Sequence, residues 1–295
     1  MRHPIGNTSS GFWKLLIYLF LGSYALSVVL PFLNIISVSL SSSSAILQGR
    51  VTIFPVRLNL DAYQAVLSNR ALLRAYGNTI YVVFFGTATA LLMTMLAAYP
   101  LSRKSLPGIK WITFMITLTM WFSGGMIPTF LVVKSVGLYN SRLALFVPGM
   151  IAAFNVIVMR NFFESLPDSL EESARIDGAH DFTVLFRIVV PLSKPVLATV
   201  TLWLAVGLWN SFFAPLLYLQ DSSKYTLQLV LRDIILQNSA YEYGMDVLQQ
   251  NEGLDIISDS IRYATIMFSI VPMLMVYPFI QKYFVKGIML GSVKG

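Results

Sequence analysis

The chain contains no cysteine. Disulfides, thiolate metal sites, iron–sulfur clusters and thiol nucleophiles are thereby excluded together. Histidine is nearly as scarce, with only His3 and His180 among 295 residues. Neither neighbours a second metal ligand and no H-E-x-x-H pair occurs, so nothing suggests a histidine-built metal centre. The sequence also lacks a G-x-x-x-x-G-K-[S/T] phosphate loop, so any nucleotide hydrolysis must occur on another chain. Charge is sparse as well. Charged residues make up 12% of the chain against 56% hydrophobic residues, and the mean hydropathy is +0.69.

The scarce charge is unevenly spread. Six windows hold no Asp, Glu, Lys or Arg: Leu15–Gly49, Ala75–Ser102, Trp111–Val133, Leu143–Met159, Pro195–Gln220 and Tyr263–Gln281. About 20 apolar residues in helical form cross a hydrocarbon layer of about 30 Å. The windows therefore predict six membrane-spanning helices, near residues 13–40, 74–101, 111–133, 143–163, 195–219 and 263–285. The apolar run from Leu15 to Leu40 is longer than the core of a cleavable signal, so a retained first helix is expected.

An even number of spans puts both termini on one side. With that side taken as cytoplasmic, the inner segments carry twelve Lys and Arg residues and six acids. The outer segments carry nine basic residues and eight acids. The short basic turn Arg103–Lys110 and the tail Lys282–Lys294 both favour this orientation. The overall net charge of +7 thus follows from topology and calls for no nucleic-acid partner. Two extracytoplasmic loops, 41–73 and 220–262, and one cytoplasmic loop, 160–194, complete the layout. The stretch Asp221–Arg262 holds seven acids and three bases.

The cytoplasmic loop concentrates the charge that the rest of the chain avoids. Between Arg160 and Lys194 lie six acids (Glu164, Asp168, Glu171, Glu172, Asp177, Asp181) and four bases (Arg160, Arg175, Arg187, Lys194). Ser169-Leu170-Glu171-Glu172 fits a capping box, with Ser169 at the N-cap. Gly178 stands where a glycine ends a helix. A two-turn helix over Leu170–Asp177 is expected, and one so short needs something to pack against. Asp181 is placed to cap a second segment, Phe182–Val190, before Pro191 and Pro195 interrupt the chain. Small Ser173 and Ala174 permit close approach of another surface. Either the segment is a solvated connector, or it docks a cytoplasmic partner.

Glu172-Ser173-Ala174-Arg175-Ile176-Asp177-Gly178-Ala179, then nine residues after Gly178, then Ile188-Val189-Val190-Pro191, resembles the EAA motif of bacterial ABC-importer permeases. That motif reads EAA, three residues, G, nine residues, I-x-L-P. Ser173 replaces an alanine and Val190 a leucine, both conservative in size. Ala97-Ala98-Tyr99-Pro100-Leu101-Ser102-Arg103, Met159-Arg160-Asn161-Phe162-Phe163 and Lys286–Gly295 are similar to the carbohydrate branch, in particular to the second permease of maltose-type and oligosaccharide systems. The resemblance implies an all-α integral membrane protein with the MetI-like fold of type I importers, a single permease domain over residues 1–295 in a bacterial inner membrane. It implies a second homologous permease, two cytoplasmic ATPase subunits that carry ATP and magnesium, an extracytoplasmic solute-binding protein and an oligosaccharide substrate; the outer bases Arg57, Arg70 and Arg74 leave room for an acidic one, though they equally suit membrane-flanking positions. This chain would hold no cofactor and catalyse nothing. Its loop would contain the ATPase-coupling helix, built on Glu171, Glu172, Ser173, Ala174, Asp177, Gly178, Ala179 and Pro191.

Polar residues within apolar spans face a bundle interior or a watery path. Asn155 and Asn210 are such residues, and Trp209, Phe212 and Phe213 flank the second. Amides beside aromatic rings suit the hydroxyl edges and apolar faces of sugars, although helix–helix packing uses the same residues. Pro148, Gly149, Pro215 and Pro272 are expected to interrupt their spans. Three other readings stay open: an ABC permease for another solute, a membrane scaffold, and an ion-coupled secondary transporter. The last usually carries a buried ionisable group within a span, and the six windows hold no Asp, Glu, Lys or Arg.

Overall fold

In the computed structural model, residues 11–103, 106–242 and 259–291 are described, with side chains throughout except at 12, 237–242 and 277–291. The middle of the acidic outer loop and the last residues of the C-terminal motif lie outside this set. Helices in chain order are α1 (Gly11–Ser39), α2 (Ser43–Leu47), α3 (Asp61–Ser68), α4 (Arg70–Leu101), α5 (Ile109–Trp121), α6 (Met126–Ser135) and α7 (Ala153–Glu164). They continue with α8 (Ser169–Ile176), α9 (Asp181–Val184), α10 (Val190–Leu192), α11 (Lys194–Trp209), α12 (Phe213–Tyr218), α13 (Leu227–Glu242) and α14 (Asp259–Gly291). The only β pairing among the described residues is an isolated bridge, Ser41 to Leu58.

Three helical stretches are long and apolar enough to cross a membrane alone: Trp13–Ser39, Arg70–Leu101 and Asp259–Val276. Counting each of three bent pairs as one span gives six. The bends mark where the sequence cannot continue a helix. Between α5 and α6 the chain turns by 113° at Ser123-Gly124-Gly125. Gly125 takes φ +84°, which a side chain would resist, and its N–H is accepted by Ser123 Oγ. The fourth span begins as 3-10 turns over Arg142–Gly149, carries Pro148, and bends by 51° into α7.

The fifth span, expected over 195–219 with an interruption at Pro215, stops at Trp209 and resumes at Phe213. Pro215 explains the stop. It has no N–H for the carbonyl of Ser211 and its ring would clash there. Pro272 behaves differently from expectation, because α14 runs through it without a break. One missing backbone bond is tolerated in a membrane helix when neighbouring groups satisfy the freed carbonyl.

The chain forms two compact units, one from the described parts of Met1–Asn69 with Ile234–Phe268, the other from Arg70–Asp233 with Ser269–Gly295. In the first, α1 is apolar on every side, as a spanning helix is. Its residues Leu15–Leu30 are exposed in the isolated chain. Its far end is fastened by side chains: Asn34 Nδ2 donates to Thr52 O at 2.7 Å, Ser37 Oγ donates to Ile53 O, and Ser39 Oγ meets the Tyr63 hydroxyl at 2.8 Å. Ser41 Oγ donates to Ser37 O at 2.6 Å and accepts from Val56 N at 2.9 Å.

In the second unit α4 is the axis. Near its start, Val82 packs with Val133, Ala144, Leu145, Phe146 and Tyr218. Near its end, Met95, Ala98 and Tyr99 pack with Val156, Met159 and Phe163 of α7, with Val184, Leu185 and Val189, and with Val196 and Val200 of α11. Between these clusters α4 and α11 approach closely at Gly86. A Cβ there would lie 2.7 Å from Leu208 Cδ1 and 2.9 Å from Phe146 Cβ. Gly86→Val is expected to lower the thermal midpoint of the purified protein. Overpacking of this kind costs about 1–3 kcal/mol, and Gly86→Ala should fall between the two. Static light scattering during a thermal ramp would read it.

Candidate functional site: the α7–α11 loop

The segment between α7 and α11 is folded against the end of α4. α8 covers Ser169–Ile176, one residue earlier than the sequence suggests. Ser169 is therefore the first helical residue and not a cap. Asp168 occupies the N-cap in a helical conformation and makes no side-chain cap bond. Glu171 and Glu172 lie in the first turn, where the helix dipole favours negative charge.

The C-terminal end matches expectation closely. Gly178 has φ +80°. Its N–H donates to Arg175 O at 3.1 Å, and Ala179 N donates to Ala174 O at 2.9 Å. This pair of bonds is a Schellman closure, with its usual apolar contact, since Ala174 and Ala179 both pack on the cluster beneath. Asp181 does not cap the next segment. It lies within α9, whose N-cap is His180, and its Oδ1 accepts from Arg175 Nη2 at 2.6 Å.

α9 leads into a wider turn at Leu185–Val189, where Val190 N–H reaches back five residues to Leu185 O. Pro191 follows and cannot donate to Arg187 O. With Pro195 it brackets an 87° bend between Asp181–Leu192 and α11. The stretch 181–192 thus lies across the direction of α11 and feeds it at a right angle.

The loop is tied to α4 by charge. Glu171 forms an ion pair with Arg103, two residues past α4, with side-chain exposures of 9% and 15%. The guanidinium of Arg103 also stands 4.7 Å over the Tyr99 ring. Burial pushes the Glu171 carboxyl above its ordinary range, and Arg103 and then Arg175 partly offset that. Arg160 Nε donates to Leu101 O at 2.8 Å, which satisfies one of the unpaired carbonyls at the end of α4. The Arg175–Asp181 pair is more than half exposed and contributes little.

α8 has two faces. Glu171 and Ala174 point towards the body of the protein, whereas Glu172, Ser173 and Asp177 are exposed. Ile176 is 86% exposed and Leu170 42%. Arg103 and Ile176 escape a reading of the sequence alone. Ile176 is flagged only by being apolar among charges, and Arg103 only by following a span.

The path candidates do not form one surface. Trp209 is buried, its Nε1 donates to Ser269 O at 3.3 Å, and its ring meets Tyr76 edge-on at 5.7 Å. Asn155 is buried near the start of α7. Asn210, Phe212 and Phe213 occupy the break between α11 and α12 and are exposed. Asn210 Nδ2 donates to Val206 O at 3.0 Å, so this amide terminates α11.

The arrangement, a bundle of apolar helices with a capped charged helix on the end of α4, is that of a membrane permease component. Residues 10–290 match the family described as "Binding-protein-dependent transport system inner membrane component", and the chain belongs to it. It is similar to the polygalacturonan/rhamnogalacturonan transport system permease protein YtcP of Bacillus subtilis, with 43% identity covering 96% of this chain and 98% of the relative. Protein LplC of the same organism is also 43% identical, over 99% of each chain. A solved chain from a bacterial ABC transporter that imports the acidic polysaccharide alginate superposes with a TM-score of 0.85 at 37% identity, covering 95% of this chain and 99% of that one. These findings establish an all-helical, multi-pass permease of the ABC-importer type.

Cutting one partner from the buried pair should do more harm than removing both. Glu171→Ala leaves Arg103 uncompensated, a loss of about 3–5 kcal/mol. Arg103→Met with Glu171→Leu should lie nearer wild type. Thermal unfolding of the purified protein compares the three.

Proposed function

We propose that the chain is one of two related membrane subunits of an ATP-driven importer of acidic oligosaccharides, and that α8 docks in a groove of a cytoplasmic ATPase. The observation that carries the docking role is the division of α8. Glu171 and Ala174 hold it to the body, and Ile176 projects outward on a helix closed by Gly178. ATP and magnesium belong to two partner ATPase subunits. Movement of α8 reaches α4 through Arg103 and reaches α11 through the bent 181–192 segment. In this orientation both termini are cytoplasmic, in line with the basic turn after Ser102.

Relatives support the substrate class. One transports polymers of galacturonate by its name, and the solved neighbour imports an acidic polysaccharide. The transporter of a second solved neighbour, with a TM-score of 0.59 and 16% identity, was crystallised with a periplasmic protein carrying an alginate pentasaccharide. That likeness speaks to fold, and its description supports a solute-binding protein as partner. Asn210, Phe212 and Phe213 would line the path at the helix break, with Trp209 and Asn155 supporting it from within.

Ile176→Asp is expected to release the ATPase subunits during purification while the two permeases stay together. At Gly178 there is space for a side chain, but the backbone is left-handed. Gly178→Val should therefore impair ATP-driven uptake in vesicles, and Gly178→Asn should retain most of it, because asparagine tolerates that conformation. Normal uptake by both Ile176→Asp and Gly178→Val would refute docking through α8. Asn210→Leu in an intact complex should reduce uptake at unchanged ATPase binding, and unaltered kinetics would remove Asn210 from the path.

A further inference from the structure

The first turns of α4 carry Arg70 and Arg74, spaced by four residues and therefore about 6 Å apart along one face. Asn78 continues that face one turn later and is buried. Its Oδ1 accepts from Arg142 Nη1 at 3.1 Å, and the Arg142 guanidinium lies 5.0 Å from the centre of the Tyr81 ring. Tyr81 meets Phe85 at 4.7 Å, and Phe85 in turn meets Phe84 edge-on at 5.2 Å. Three guanidinium groups thus lead along the start of α4 to a set of aromatic rings.

Among the described residues, no carboxylate lies within ion-pairing distance of Arg70, Arg74 or Arg142. Two acids of the following outer segment, Asp221 and Asp233, are already engaged. Asp221 is paired with Lys224 at 3.6 Å and accepts from Ser223 N at 2.9 Å, and Asp233 is paired with Arg232 at 3.0 Å. Among the described residues Arg142 is held by a neutral amide and a ring and meets no carboxylate, which leaves its outer N–H groups available. The stripe also stands at the end of α4 opposite the Arg103–Glu171 pair, about 35 Å away as measured from Asn78 along the helix. A guanidinium binds a carboxylate through two parallel hydrogen bonds, and an aromatic face accepts the C–H face of a sugar ring. Repeated at helical spacing, this chemistry fits a chain of uronate residues.

We propose that Arg70, Arg74 and Arg142, with Tyr81, form a binding stripe for the carboxylates of an anionic oligosaccharide at the extracytoplasmic mouth of the permease. The proposal rests on the acidic-oligosaccharide reading above and deepens it. Arg142 also steadies Asn78, whose Nδ2 donates to Ser223 O at 2.8 Å and Tyr225 O at 3.0 Å. Arg74 has no such structural duty, so the two positions together separate binding from folding.

The test uses the complete transporter with its binding protein in proteoliposomes. The probes are an oligogalacturonate and its methyl-esterified, uncharged counterpart. Wild type should prefer the acidic oligomer. Arg74→Gln and Arg142→Gln should each raise its half-saturation concentration about tenfold, the scale of one lost charge-assisted hydrogen bond, and leave the ester unaffected. Arg142→Lys should recover part of the loss. If wild type does not prefer the acidic oligomer, the substrate class itself is wrong. If wild type prefers it and both glutamine variants keep that preference unchanged, the class stands and the stripe is refuted. A defect seen only in vesicles containing phosphatidylglycerol, and absent in phosphatidylcholine alone, would assign the arginines to lipid headgroups and also overturn the proposal.

Discussion

Hydrocarbon offers no hydrogen bonds, and that constraint decides where this chain is regular and where it is not. α1, α4 and α14 satisfy most of their backbone groups internally. Three of the helix breaks bring their own donors or acceptors. Ser123 Oγ serves Gly125 N before α6, and Asn210 Nδ2 serves Val206 O after α11. Asn140 does this most fully. With φ +57°, it donates through its backbone N–H to Tyr218 O at 2.8 Å, and its Oδ1 accepts from Gln220 N and Asp221 N, both at 3.1 Å. One side chain closes the turn after α6 and the turn after α12 together.

The same logic makes α4 the member that links two polar sites. At its start, Asn78 and Thr79 collect the 223–227 segment, with Thr79 Oγ1 accepting from Leu227 N at 2.8 Å. At its end, Leu101 and Arg103 receive α7 and α8. Between them the helix is apolar and packed, with a glycine where α11 crosses closest. α8 is thus joined, through Arg103 and Glu171, to the end of one continuous helix and not to a loop.

Much of this was legible in the sequence. The charge-free windows located the three unbroken spans to within a few residues, because in lipid a single composition rule governs long stretches. Gly178 was readable because only glycine suits its backbone at little cost. The caps of α8 and α9 were not. Ser169 and Asp181 both fit cap patterns, but Asp168 and His180 hold those positions, and Asp181 is drawn instead to Arg175 across the turn. A cap is decided by local competition within a residue or two, and tertiary partners settle it. Pro215 broke its helix and Pro272 did not, a difference that depends on neighbouring groups invisible to the sequence. The Arg103–Glu171 pair joins residues 68 positions apart, beyond the reach of any local pattern.

α1 is fastened between Asn34 and Ser41 and is greasy on all sides beyond that point. A rod gripped at one end turns small angles into large arcs. From Asn34 back to Gly11 it is about 35 Å long, so a tilt of about 10° at the grip sweeps the other end through roughly 6 Å. With no polar stripe between Leu15 and Leu30, lipid favours no one side of the helix. Its free length therefore offers an apolar surface on every side, while the serine-rich grip fixes only its far end.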